Sequence, residues 1–162
     1  MSVNWIDLVL FTIVALVIWL EFCRGFGKAI FDFVAVLVAM RIALSYSSTA
    51  AGYLRFLSDK QDNDALVFGV SFLALSLVLW FIGKQIYDAT LISLDTFDPP
   101  FGAILGFAIA VVIGHAFVNA LFMTTGAART IPDVIAGSAL GYTFLEFPAY
   151  HAVIGFMSSL AQ

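Results

Sequence analysis

The stretch Asp98-Pro99-Pro100-Phe101-Gly102-Ala103-Ile104-Leu105-Gly106-Phe107-Ala108-Ile109-Ala110-Val111-Val112-Ile113-Gly114-His115-Ala116-Phe117-Val118-Asn119 decides the fold class. No Asp, Glu, Lys or Arg lies between Asp98 and Arg129, so the segment reaches the roughly 20 apolar residues that a bilayer-spanning helix needs. Pro99 and Pro100 suit its first turn, where missing backbone donors do no harm. Gly102, Gly106, Ala110 and Gly114 recur at every fourth position, a small-residue seam along which another helix backbone can come close. His115 and Asn119 share a neighbouring face at the same spacing.

Composition extends this reading to the whole chain. Of 162 residues, 62% are hydrophobic and 11% charged, against roughly 45–50% apolar and about 25% charged in soluble domains. Mean hydropathy is +1.04. The charge-poor stretches form separate blocks, which predicts an all-α membrane protein with a single polytopic domain, 1–162. About four transmembrane helices are expected, over 5–22, 29–46, 65–86 and 101–123, with 124–162 as a peripheral helical tail. Within the tail, Val134 to Leu145 and Ala149 to Leu160 are apolar but short, and Pro148 separates them. Helices packed at the membrane surface are the expectation, with a reentrant or fifth spanning element as the alternative.

The amino terminus lacks a basic region and a small-x-small cleavage site and carries Asp7, so it reads as a retained first span. Trp5 and Trp19 near its ends suit the headgroup region. Arg24-Gly25-Phe26-Gly27-Lys28 then forms a tight basic turn. Anchoring of this turn to anionic lipid is the plain reading, and a surface for a soluble partner the sharper one. From Ser45 to Asp64 the pattern gives a loop whose first half suits a short interfacial helix and whose second half is solvated. The third span ends in Trp80 and Lys84, an interfacial anchor.

Several function classes are argued against. The net charge of −4, with no basic run, speaks against nucleic-acid binding. Cys23 is alone, so it forms no intrachain disulfide and sits in no metal-ligand spacing. With only His115 and His151 there is no H-E-x-x-H, and the chain has no glycine-rich phosphate loop or G-x-S-x-G elbow. The expectation is therefore no enzyme, no cofactor and no metal. No internal repeat, low-complexity tract or heptad seam appears.

If the four spans alternate, Asp7, Arg41, His115 and Asn119 fall in one half of the membrane. A charge at the centre of a spanning helix costs about 2.5–3.5 kcal/mol on insertion scales, so Arg41 must pair or snorkel. The sharp reading is an Asp7–Arg41 ion pair with His115 and Asn119 lining the same polar pocket. The plain one has Arg41 snorkelling while His115 and Asn119 satisfy each other or a backbone carbonyl. The opposite face carries Glu21, Arg24, Lys28, Asp32, Lys84, Asp88, Asp95 and Asp98. The small-residue seam packs either on another span of the same chain or on a second copy. Basic residues tie across the two faces, and those nearest the span ends favour a cytoplasmic first turn.

Trp5-Ile6-Asp7, Arg24-Gly25-Phe26 with Lys28, and Leu94-Asp95 to Asp98 leading into Gly102-x-x-x-Gly106 together resemble the colicin V production (CvpA) family of bacterial membrane proteins. The resemblance runs from about Trp5 to Phe122 and fades in the tail. Two departures stand out: Pro99 replaces a basic residue that usually follows the acid, and Ile109-Ala110 replaces the Arg-Gly usual after the second glycine. The resemblance implies a multi-pass protein of the bacterial inner membrane, linked to toxin production or export and to envelope homeostasis, with no known chemistry. The lipid bilayer is the implied environment, and a second copy or an export or envelope protein the implied partner. The competing reading is a small oligomeric channel or transporter built around the intramembrane polar cluster.

Overall fold

The computed structural model describes residues 4–90, 97–124, 135 and 137–146. Its elements are α1 (Trp5–Arg24), α2 (Phe26–Tyr53), α3 (Lys60–Thr90), α4 (Asp98–Thr124) and a short α5 (Ala139–Glu146). No strand occurs among the described residues. The first four helices are each long and apolar enough to cross a membrane, so the described residues form the all-α bundle of a membrane protein with four candidate spans. Asp95, Arg129, Pro148, His151 and the apolar stretch from Ala149 to Leu160 lie outside the described residues.

Helix bounds differ from the sequence expectation mainly between the second and third spans. The predicted loop from Ser45 to Asp64 shrinks to residues 54–59, because α2 runs on to Tyr53 and α3 begins at Lys60. Polar Ser47 and small Ala51 lie on the buried face of α2 and continue its packing stripe through Ala39 and Ala43. The hydrophilic composition of this stretch thus conceals two further helical turns.

α4 is the axis of the bundle. α1 packs mainly on α4, α2 packs on both α3 and α4, and α3 also reaches α4. Two apolar clusters result, and α4 contributes to both. On one side Ile109, Val112 and Ala116 meet Met40 and Ala43 of α2 and Phe68 and Phe72 of α3. On the other, Val111 and Val118 meet Ile6 and Leu10 of α1 together with Ile135 and Phe144. The outward faces carry large exposed apolar side chains such as Phe11, Trp19, Leu73, Leu77, Ile104 and Phe107, as expected of surfaces bathed in acyl chains.

Glycine makes the α1–α4 contact this close. A Cβ at Gly102 would strike the Glu21 carbonyl oxygen, and one at Gly106 would lie 2.9 Å from Glu21 Cβ and 3.1 Å from Ile18 Cα. Ala110 is fully buried. The seam splits at its end, for a Cβ at Gly114 would overlap the Phe144 ring of α5. A single residue, Gly25, separates α1 from α2, with φ 81°, a conformation that side chains disfavour. A Cβ there would also lie 2.7 Å from Asp98 Oδ2, so the turn is pressed against the start of α4.

This packing gives a direct test. Gly106→Ile should destabilise the protein by about 1–3 kcal/mol or more through overpacking of the α1–α4 contact. Gly69→Ile, on a surface where a Cβ would meet nothing within 4 Å, should change stability little. Thermal unfolding of both variants in detergent makes the comparison.

Candidate functional site

Two clusters of polar groups form, one near each end of α1. At its amino-terminal end, Asp7 lies in the first turn, where a carboxylate complements the helix dipole. Its Oδ2 accepts the Asn4 backbone N–H at 3.0 Å. Its Oδ1 accepts the Ser138 hydroxyl at 2.6 Å and the Leu140 backbone N–H at 3.0 Å. Ser138 Oγ in turn accepts the Gly141 N–H at 2.8 Å, the bond of an N-cap. One carboxylate therefore serves the N-termini of two helices, α1 and α5.

The other end of α5 is held from α4. Phe144 lies in the last turn of α5, where carbonyls lack intrahelical donors, and its oxygen is 2.6 Å from His115 Nδ1. A ring carrying its proton on Nδ1 donates to that carbonyl and leaves Nε2 to accept from Asn119 Nδ2 at 3.1 Å. Asn119 Nδ2 also donates to the His115 carbonyl at 2.9 Å. His115 is 4% exposed, so these bonds are made in a low-dielectric interior, where leaving one unmade is expensive. Asp7 and His115 thus bracket α5.

Three of the four residues placed in one half-membrane gather around α5, and Arg41 does not join them. Arg41 sits on an exposed face of α2 and makes no ion pair among the described residues. The expected Asp7–Arg41 pair fails on azimuth, although both residues lie at similar distances along the chain from the Gly25 turn. α4 rather than α2 is the main neighbour of α1, so Arg41 faces outward, the geometry of snorkelling.

Near the opposite end of α1, the basic turn is not uniformly displayed. Arg24 turns inward: Nη1 lies 3.1 Å from Glu21 Oε1 and also pairs with Asp32 Oδ2, and the guanidinium lies 5.8 Å from the Trp80 ring centroid. Glu21 and Asp32 are 4% and 6% exposed. Two buried carboxylates share one guanidinium, and Glu21 Oε2 receives no hydrogen bond among the described residues. Four-residue spacing alone would put Arg24, Lys28 and Asp32 on one helix face if the helix were continuous. The break at Gly25 instead puts Arg24 at the end of α1, from where it reaches across to α2. Gly25 is buried, whereas Lys28 stays exposed with its ammonium 5.5 Å from the Tyr87 ring centroid.

Other positions carry roles that sequence reasoning did not assign. Asn63, 3% exposed, staples the α2–α3 connection: Nδ2 donates to the Leu54 carbonyl at 2.9 Å, and Oδ1 accepts the Phe56 N–H at 2.8 Å. Nothing in the polar run around Asn63 distinguishes it. Ser138 did leave a signal, a small hydroxyl immediately before an apolar helical stretch, but its carboxylate partner lies 131 residues away. Among the described residues no cluster of His, Cys, Asp and Glu suits a metal ion.

Residues 6–148 match the family model described as Colicin V production protein. No curated protein and no solved structure matches the chain.

Two sets of variants test this geometry. In double-mutant cycles, Asp7→Asn with Ser138→Ala should couple by about 0.5–3 kcal/mol, whereas Asp7→Asn with Arg41→Gln should be additive within about 0.5 kcal/mol. Arg24→Gln should cost roughly 3 kcal/mol, the low end for breaking a buried ion pair because Arg24 is partly exposed. Adding Glu21→Gln and Asp32→Asn should recover most of that loss. Unfolding in a denaturing-detergent titration measures all of them.

Proposed function

The chain belongs to the colicin V production protein family, and from that membership we propose that it is a non-enzymatic accessory factor of toxin production or export and of envelope homeostasis. We place it in the bacterial inner membrane, since apolar α-helical spans suit that bilayer whereas bacterial outer-membrane spans are β-barrels. It acts as a scaffold, presenting its helix ends and the Gly25 turn to an export or envelope protein or to a second copy.

The observation that carries this reading is the use made of the intramembrane polar groups. Asp7, His115 and Asn119 spend their hydrogen bonds on holding α5. His115 is buried beside the Val111, Val118, Ile135 and Phe144 cluster. A channel or carrier would need such groups to face water or a solute, so this packing favours a scaffold over the transport alternative.

In a colicin V-producing strain lacking this chain, extracellular toxin should fall and envelope sensitivity to detergents should rise. The intact chain should restore both, and so should the Arg41→Gln form. Toxin yield and envelope resistance that stay unchanged on deletion would contradict the proposal. So would solute flux through proteoliposomes of the purified protein that is abolished by His115→Ala.

A further inference from the structure

Beside the Arg24 cluster lies a cavity of about 160 Å³ between the start of α2 and the end of α3. Its charged lining comprises Arg24, Lys28 and Lys84 against Asp32 and Asp88, with the Trp80 and Tyr87 rings among them. Arg24 and Asp32 are committed to each other. Lys28, Lys84 and Asp88 make no ion pair among the described residues, so two ammonium groups and one carboxylate remain for a ligand. Lys28 is held over the Tyr87 ring, and Trp80 is 38% exposed, the amphipathic placement found at headgroup level.

We propose that this cavity binds the headgroup of a zwitterionic phospholipid, a phosphodiester that carries a primary amine. Lys28 and Lys84 meet the phosphate and Asp88 meets the amine. A cavity of this size has room for a phosphate and a short amine, with the acyl chains outside it. Those chains leave along the exposed Leu77 and Leu73 of α3, on the same helix face as Trp80 and Lys84.

The placement of charge selects this headgroup. Arg24 and Asp32 of the lining offset each other, which leaves Lys28 and Lys84 against Asp88. A zwitterion pairs all three of these groups. An anionic headgroup leaves Asp88 facing negative charge with no partner, which costs affinity. The turn thus recognises lipid, but with a different selectivity from the anionic anchoring that its basic residues suggest in isolation.

The test uses the full chain, purified in mild detergent, with lipid retention read by native mass spectrometry. Phosphatidylethanolamine should be retained over phosphatidylglycerol. The pair Lys28→Gln with Lys84→Gln should weaken that retention about tenfold, the scale of one charge-assisted contact. Asp88→Asn should reverse the preference towards phosphatidylglycerol. All three positions are exposed, and circular dichroism checks that the variants fold. Equal retention of both lipids, or a preference untouched by Asp88→Asn, would overturn the proposal. Displacement of the lipid by inorganic phosphate at equal concentration would overturn it too, by showing a site for free phosphate.

Discussion

The close approach of α1 to α4 is the constraint on which the rest of the bundle depends. In a bilayer, helices gain little from hiding apolar surface, because acyl chains are as apolar as leucine, so association rests on tight van der Waals contact and on polar bonds. Gly102 and Gly106 let the α4 backbone settle against Glu21 and Ile18 of α1, and Gly25, in its positive-φ conformation, ends α1 beside Asp98. With α1 on that side, the opposite side of α4 is left for α2 and α3. Consecutive helices α1 and α2 therefore form a hairpin in sequence but belong to different packing layers.

The same arrangement explains where the polar side chains go. Arg24 stands at the α1–α2 break, where it neutralises carboxylates from both helices. Asp7 and His115, on the two helices that touch most closely across the glycine seam, hold the opposite ends of α5. α5 has only eight residues, too few to be stable alone, and its persistence is owed to these bonds and to Phe144 over Gly114. Arg41 lies outside both groups because its part of α2 looks away from α4.

Much of this was legible in the sequence where the signal is one-dimensional. Hydropathy located four spans, and four-residue spacing marked the small-residue seam and the His115/Asn119 pair. Position along the bundle was also readable, since alternation put Asp7 and His115 at one end, where both hold α5. Azimuth was not: whether Arg41 faces Asp7 depends on which helix sits between them, and hydropathy carries no such information. The Ser138–Asp7 bond and the Glu21–Arg24–Asp32 cluster were hidden for related reasons. The first joins residues 131 apart, and the second depends on Arg24 turning inward at the Gly25 break, whereas a basic turn by itself reads as facing headgroups. Asn63 was lost in a run of polar residues, where solvation and capping look alike.

On the function proposed above, Asp7, His115 and Asn119 fasten the chain to itself and do not line a water path. Val118, fully buried between α1, α4 and Ile135, lies three residues from His115 and reports on that interior. With Cys23 replaced by serine, Val118→Cys can be exposed in membranes to a charged, water-soluble thiol reagent, with Asp62→Cys in the exposed first turn of α3 as the reactive control. The cysteine at 118 should stay unmodified from either side until the protein is denatured. Labelling at a rate comparable to that at position 62 would contradict it.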